Sequence, residues 1–344
     1  MSDTGSRRIG PARVGVGGWL LAFFVLGVSL LAGLLVGSVD IDPLGSVGAV
    51  LDLIPGVEID HGLTEIQRRV LLVIRLPRVV MGGLVGAVLA VAGAGYQGVF
   101  RNPLADPYLL GVAAGAGLGA TFAFAFNDAI GVVPVLAFVG GLVAVSLTFA
   151  LGKSVGGRTT TSLILAGVAV AAFATAIQTF LLQRNLDTLR EVYSWILGRL
   201  VTVGWSDVLT LLPYAVVASV VLLLHGRLLD VLGLGDEEAE ALGVRVVRVR
   251  RYVVLAATLA TAAAVSVSGL IGFVGLIVPH TVRMLTGWSY RVIIPLSIIY
   301  GAAFLVVADV VARTVVAPAE LPIGVVTAFL GAPFFVLVLR TMRQ

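Results

Sequence analysis

Long apolar runs recur along the whole chain, and they constrain its fold more than any other feature. A helix needs about 20 apolar residues to cross the hydrocarbon core of a bilayer, and in lipid its backbone groups must be bonded within the segment. Roughly ten such runs can be drawn, at 19–38, 79–99, 109–126, 132–151, 161–182, 205–224, 252–268, 270–284, 292–311 and 323–339. The pattern predicts an all-α polytopic membrane protein with about ten transmembrane helices, in one transmembrane domain over 1–344.

The composition agrees with a membrane environment. Mean hydropathy is +1.07 and only 12% of the residues are charged, too few to cover the surface of a soluble protein of this size. Cysteine is absent, which excludes disulfides and thiolate metal sites. His61, His225 and His280 match no metal-ligand spacing, so we expect this chain to bind no metal or cofactor itself. Basic residues lie between the apolar runs rather than on one face, which favours contact with anionic lipid over nucleic acid.

The distribution of Arg and Lys predicts the orientation in the membrane. The first run is longer than the apolar core of a typical signal peptide, so we expect a retained helix after a cytoplasmic tail, 1–18. Alternating from there places the larger share of Arg and Lys on the cytoplasmic side, and an even number of spans returns the C-terminus to that side. Two connections then stand out, an outer segment at 39–78 and a cytoplasmic segment at 226–251.

Two stretches suggest an internal duplication. Residues 91–98 and 267–275 are weakly similar, and a proline follows each of them, Pro103 and Pro279. The helices that precede them run in opposite directions in this topology, as in an inverted repeat. Many of the 42 glycines are spaced four residues apart, which is typical of closely packed membrane helices; examples are Gly82/Gly86 and Gly111/Gly115/Gly119.

Several motifs are too specific for generic membrane sequence. They are RLPR at 75–78, RNPLADP at 101–107, LAGVA at 165–169, GFVGLIVPH at 272–280 with Arg283, ELPIGVVT at 320–327 and GAPFF at 331–335. In this order they resemble the FecCD-type permeases, which import iron–siderophores, haem and vitamin B12, and the resemblance extends from about residue 19 to the C-terminus.

That resemblance implies the architecture of a type II ABC importer permease. The implied partners are a second permease copy or a paralogue, two cytoplasmic ATPases that hold ATP and magnesium, and an external substrate-binding protein, all at the cytoplasmic membrane of a prokaryote. Iron–siderophore is the first expectation for the cargo, with haem and cobalamin as alternatives. We expect no catalytic residues, because the nearest fragment to a nucleotide-binding loop, at 152–154, has Leu147 where the first glycine is required.

Three outer arginines are candidates for docking the binding protein. Arg75 and Arg78 flank Pro77, and Arg313 lies near another outer helix end. The resemblance implies that arginines at these positions pair with carboxylates of the docking protein, and exposed cations could set its orientation. The alternative is anchoring at the membrane interface, with long side chains reaching the headgroups.

The cytoplasmic segment 226–251 contains the candidate coupling element. Its acidic and basic runs surround a short predicted helix that ends at glycine, and the resemblance implies that this helix contacts an ATPase. An apolar pair at helical spacing, Ala239 and Leu242, would face a groove on that partner. The residues assigned to coupling are Gly235, Glu238, Ala239, Leu242 and Gly243; the alternative is a solvated charged loop.

A row of threonines, Thr159, Thr160 and Thr161, is the candidate cytoplasmic gate by resemblance, and capping of the following helix is the alternative. His280 is interpreted as structural because it has no partner ligands nearby. Asp309 is the one notable acid within a late span. It could couple protons in an ion-driven secondary transporter, but Arg313 lies four residues later on the same face, and an internal ion pair is the simpler interpretation.

Overall fold

The structure is a computed structural model that describes residues 14–37, 41–56, 59–126, 131–154, 160–200 and 204–341. These residues form helices and connecting turns, with no strand among them. The helices are α1 (Val16–Leu35), α2 (Pro43–Leu51), α3 (Glu65–Arg69), α4 (Leu76–Phe100), α5 (Val112–Phe126), α6 (Val132–Ser154), α7 (Thr160–Arg184), α8 (Leu189–Ile196), α9 (Trp205–Leu232), α10 (Asp236–Ala241), α11 (Val246–Ser268), α12 (Val274–Thr286), α13 (Tyr290–Thr314) and α14 (Ile323–Thr341).

The all-α prediction is confirmed, and each of the ten predicted spans contains a helix. Seven helices in the described chain are long and apolar enough to cross a bilayer, while α5 and α14 are shorter apolar helices. Helix α12 has only 13 residues and is buried along most of its length. Lipid thickness does not fix the length of such an enclosed helix, so the count of ten complete crossings is approximate.

The predicted cytoplasmic segment 226–251 was too long. Helix α9 continues to Leu232 and α11 already begins at Val246, so the connection is 233–245 with α10 inside it. The apolar runs underestimated both helices because their ends carry charged residues that reach beyond the hydrocarbon region. A polar end does not stop a helix whose other face is packed.

The predicted outer segment 39–78 is also largely helical. Besides α2, it contains α3, which continues without a break into α4. Pro77 would normally disrupt such a helix, because it lacks an N–H and its ring meets the preceding turn. Residues 70–75 widen into a π-turn immediately before it, and a π-bulge is one way in which a helix absorbs such a disturbance.

Helix α4 lies at the centre of the bundle. In its most apolar window 83% of the residues are buried, compared with 17% for α1. It packs against α13, α11, α9 and α12. We call the end of the bundle that holds Arg78 the Arg78 end, and the opposite end, where α4 finishes at Phe100, the Arg101 end.

Helices α5 and α12 both begin beside the middle of α4. Gly275 lies against the Leu89 carbonyl of α4 and against the ring of Pro107. The Tyr108 hydroxyl donates to the carbonyl of Ile271 at 2.9 Å and accepts from its amide at 3.1 Å. Helix α12 then runs towards the Arg101 end, where Arg283 meets Gln97.

Helix α5 runs in the other direction. Its last turns pack with Trp195 and Val265 near the Arg78 end. The two short helices therefore leave a common level in opposite directions, and the chain order α4–α5 repeats as α11–α12. This geometry supports the inverted repeat that the two similar stretches suggested.

Glycine allows the central helices to approach closely. A Cβ at Gly93 would overlap the backbone carbonyl of Gly275, and one at Gly86 would overlap that of Gly301. Gly115 and Gly140 stand in the same relation between α5 and α6. The packing interpretation of the spaced glycines holds at these positions, because helix backbones in a membrane associate through such contacts.

Candidate functional site

A buried group of charges joins α4, α13 and the segment between α13 and α14 at the Arg78 end. Nε of Arg78 lies 3.1 Å from each carboxylate oxygen of Asp309, and its Nη2 lies 2.8 Å from Oδ1. The same guanidinium donates to Glu320, from Nη1 at 3.1 Å and from Nη2 at 2.9 Å. Arg78 thus binds two carboxylates through the several N–H groups of its planar guanidinium, a geometry that lysine cannot provide.

The two neighbouring arginines tie this group to the end of α1. Nη2 of Arg313 donates to the Gly33 carbonyl at 2.6 Å, and Nε of Arg313 lies 3.4 Å from Asp309. Nη1 of Arg75 donates to the carbonyls of Leu34 and Leu35 at 3.0 and 3.2 Å. Carbonyls in the last turn of a helix have no partner within it, and two guanidinium groups supply partners to α1.

The prediction that Arg75, Arg78 and Arg313 are exposed at the outer mouth is wrong. All three are buried, each with less than a tenth of its surface accessible. The sequence could not show the partners of Arg78, because Asp309 lies 231 positions from it in the chain and Glu320 lies 242 positions away. Their docking role stays a prediction. The predicted internal pair between Asp309 and Arg313 is present, and Arg78 binds the same carboxylate.

An apolar cavity of about 550 Å³ lies beside the first turns of α14. It has no charged lining residue in the described chain; the lining residues are Ile196, Leu197, Leu270, Gly324, Val325, Ala328, Phe329, Ala332 and Pro333. The start of α14 is fixed to the α8 side by two backbone bonds, from Ile323 to the Gly198 carbonyl and from Gly324 to the Leu197 carbonyl. The cavity is thus lined by α14, the end of α8 and the turn after α11.

The candidate gate is described only in part. Thr159 lies outside the described residues. Thr160 is the first residue of α7, and the structure describes its backbone but not its side chain. Thr161 is exposed. The exposed face of α7 continues with large apolar residues such as Leu165 and Phe173. The gate assignment stays a prediction.

Helix α10 lies at the Arg101 end and is held by ion pairs. Oδ1 of Asp236 is 2.8 Å from Nη2 of Arg250 and 3.3 Å from Nη2 of Arg101. Arg101 follows α4, and Arg250 lies in the second turn of α11. Asp236 therefore connects α10 to two helices at the centre of the bundle, a connection that spacing along the sequence did not reveal.

The residues assigned to coupling do not all point outward. Gly235 and Gly243 bracket α10 with φ values of 138° and 81°, which favour glycine. Glu238 is exposed and so is Leu242, but Ala239 is fully buried. The prediction that Ala239 and Leu242 face one groove together is wrong. The helix ends at Ala241 and the chain turns there, so the i, i+3 spacing no longer places the two on one face.

Besides the three arginines at the Arg78 end, Arg283 is buried, and the sequence did not reveal that it links several helices. Nη2 of Arg283 donates to the Gln97 side-chain oxygen at 3.1 Å and to the Tyr290 hydroxyl at 2.8 Å. Its guanidinium also lies 5.2 Å from the ring centre of Trp288, within the range of cation–π attraction. His280, one turn earlier, packs edge-on against Phe334. In the described residues no cluster of His or acidic side chains suits a metal ion.

Comparisons with known proteins agree with this architecture. A model of the FecCD transport family matches residues 25–341. A cobalamin import permease of Halobacterium salinarum is 45% identical over 284 residues, which is 82% of this chain and 76% of the relative. A hemin transport permease of Yersinia pestis is 41% identical over 79% of this chain and 83% of its own length.

Two further relatives extend the comparison. An iron(3+)-hydroxamate import permease of Bacillus subtilis is 39% identical over 82% of this chain and 74% of its own length. A solved structure described as a metal-chelate type ABC transporter in an inward-facing conformation superposes with a TM-score of 0.82 at 29% identity. It covers 94% of this chain and 98% of its own.

Proposed function

The chain belongs to the FecCD transport family, and we propose that it is the membrane-spanning permease of an ABC importer for metal chelates. The resemblance recognised in its motifs is confirmed, since the family match covers residues 25–341. The observation that carries the proposal is the structural similarity of this chain to a metal-chelate ABC transporter, which extends over nearly the whole length of both chains. No step of chemistry is assigned to the chain; its relatives are transport permeases.

The Arg101 end is the cytoplasmic end in this proposal. Exposed arginines gather there, Arg245 just before α11 and Arg248 and Arg251 in its first two turns, and an excess of Arg and Lys marks the cytoplasmic side. The tail before α1 and the end of α14 then lie in the cytoplasm, at the cell membrane of a prokaryote. The Arg78 end faces outward, towards the external binding protein.

Energy comes from two partner ATPases in this proposal, and α10 is the element that contacts them. Exposed Leu242 and Glu238 offer a contact on the cytoplasmic face, while Asp236 transmits a displacement of α10 to Arg101 and Arg250. Helix motions at an interface can spread through such packed connections. The main alternative, a carrier driven by an ion gradient, needs an intramembrane acid that is free to titrate, and Asp309 is occupied by two arginines.

The external binding protein is proposed to meet the Arg78 end. Arg75, Arg78 and Arg313 all lie at this end, where Arg78 and Arg313 share Asp309 and Arg78 also binds the partly exposed Glu320. Arginines at such a face suit an acidic docking surface, and their attraction would act mostly on the association rate at low salt. A second permease copy or a paralogue completes the path.

The cargo is a metal chelate as a class. Relatives between 37% and 45% identical are named for cobalamin, hemin, iron(3+)-hydroxamate and iron(3+)-citrate, so similarity alone does not single one out. The apolar cavity beside α14 is large enough for part of a bulky ligand and carries no charge that would retain it. A corrinoid is tested alongside the ferric siderophore first expected.

The experiment is uptake into proteoliposomes that contain the permease, its partner ATPases and its external binding protein. Cobalamin, a ferric hydroxamate, ferric citrate and hemin are offered in turn, with free amino acids and sugars as controls. The proposal expects ATP-dependent accumulation of at least one chelate and none of the controls. Accumulation of a control solute with no chelate transported would overturn it.

A further inference from the structure

Glu320 connects two parts of the molecule that the backbone does not join directly. It lies after α13, with two residues between it and the start of α14. Its carboxylate accepts hydrogen bonds from both Nη groups of Arg78 on α4. Its side chain is 33% exposed, whereas that of Asp309 on the same guanidinium is 4% exposed. Arg78 therefore has one buried carboxylate and one carboxylate that solvent can reach.

The position of Glu320 affects the cavity because α14 begins at Ile323. Gly324, Val325 and Ala328, in the first two turns, line that cavity. The approach to α14 is otherwise held by backbone bonds, including Leu321 to the Ala312 carbonyl at 2.8 Å. The ion pair between Glu320 and Arg78 adds a polar side-chain contact from this segment to the central helix.

We propose that Glu320 is a latch on the approach to α14: it ties the segment before that helix to Arg78 of α4, and a carboxylate arriving at the Arg78 end releases it by taking its place on Arg78. The identification of this carboxylate as an acidic side chain of the docking protein rests on the proposed function. The latch itself rests on the geometry of this chain.

The exchange is physically easy. One carboxylate replaces another on the same guanidinium, so Arg78 is never left unpaired, and Asp309 stays bound on the buried side throughout. Loss of a partner by a buried charge would be strongly unfavourable, whereas exchange of a partly exposed partner costs little. Docking would then loosen the segment that leads into α14, the helix that lines the cavity.

The absence of cysteine from the sequence makes a direct test simple. Ala328→Cys places a single thiol in the cavity wall, and its labelling rate with a water-soluble maleimide reports how often that wall opens. The measurement uses the full chain in nanodiscs, without ATPase or binding protein, so its outcome does not depend on the proposed function. Glu320→Gln is compared with Glu191→Gln, which removes an exposed charge from α8 near the same end.

Glu320→Gln is expected to raise the labelling rate roughly two- to five-fold, the range that fits a partly exposed ion pair, and Glu191→Gln to leave it unchanged. Glutarate, with chloride at matched ionic strength as control, is expected to raise labelling in the chain that retains Glu320 and not in Glu320→Gln. Equal labelling rates with and without Glu320 would overturn the latch. If Glu320→Gln fails to insert, the glutarate arm decides alone, and no response to glutarate overturns the proposal.

Discussion

Arg78 binds Asp309 with three hydrogen bonds across the interface of α4 and α13, with the shortest N–O distance at 2.8 Å. Both side chains are buried, and Arg313 approaches the same carboxylate from the next turn of α13. An acid that is bound by two arginines is part of the helix interface. This relationship separates a permease driven by partner ATPases from a carrier that moves protons through its own acid.

Asp309→Asn is expected to lower stability while leaving the mode of energy coupling unchanged. Without the carboxylate, two buried arginines lose their common partner, and breaking a buried ion pair costs about 3–5 kcal/mol. Thermal unfolding in detergent measures the loss. At a temperature where the variant remains folded, its ATP-driven uptake should persist and should not respond to a protonophore when ATP is held constant.

The matched control for this change is Glu191→Gln, an exposed acid in α8 whose replacement should change unfolding by no more than about 0.5 kcal/mol. If Asp309→Asn unfolded like this control, Asp309 would not be the buried partner of Arg78. If the variant stayed folded but lost only gradient-driven uptake, proton coupling would be the correct interpretation.

Gly93→Ala is expected to loosen the centre of the bundle. Its new methyl group would overlap the Gly275 carbonyl, and relieving an overpacked contact of this kind costs about 1–3 kcal/mol. Gly27→Ala, on the outside of α1 where a Cβ meets nothing within 4 Å, is the control. There alanine should be neutral or stabilising by up to about 1 kcal/mol. Equal stabilities would refute the close approach of α4 and α12.

Ala239→Asp and Leu242→Asp should have different consequences. Ala239 is buried against the rest of the chain, so a carboxylate there is expected to lower stability by about 3 kcal/mol or more. Leu242 is 64% exposed, so its replacement should leave unfolding unchanged and reduce binding of the co-expressed ATPase. Pull-down of the ATPase together with a melting curve distinguishes the two; intact ATPase binding in Leu242→Asp would remove this residue from the interface.

Asp236→Asn should weaken coupling without preventing assembly. The carboxylate links α10 to Arg101 and Arg250, and because all three side chains are partly exposed each pair contributes about 0–1 kcal/mol. We expect normal ATPase binding with transport per ATP hydrolysed reduced up to roughly five-fold. Glu237→Gln, in the same helix and without an ion pair in the described chain, is the control; an equal reduction in both variants would exclude a specific connection.

The sequence was sufficient for the helices and the family but not for the contacts between helices. Apolar length located a helix in each of the ten predicted runs, although the number of complete crossings stays approximate. The spaced glycines of α4 and α5 indicated close packing, because small residues allow helices to approach closely within a membrane. The sequence could not predict the partners of Arg78, because two residues separated by 231 positions form no local pattern. The outer arginines were therefore predicted to be exposed, although the motifs at 75–78 and 320–327 contain Arg78 and Glu320, which form an ion pair in the structure.

Helix ends and surface faces were also poorly determined by the sequence. Helical spacing assigned Ala239 and Leu242 to one face, but α10 ends between them and the turn at Gly243 redirects the chain. The predicted run began at residue 79, whereas the π-turn at 70–75 lets one helix continue through Pro77. Both errors arise because packing against distant segments decides where a helix ends, and periodicity contains no information on those segments.

The most direct test of the whole account is chelate uptake into sealed proteoliposomes under two driving forces. With the partner ATPases and the binding protein present, internal accumulation should require ATP hydrolysis and stop when the ATPase is omitted or its hydrolysis is blocked. Vesicles that contain this chain alone should accumulate nothing when a pH or sodium gradient is imposed. Gradient-driven accumulation by the chain alone would contradict the account.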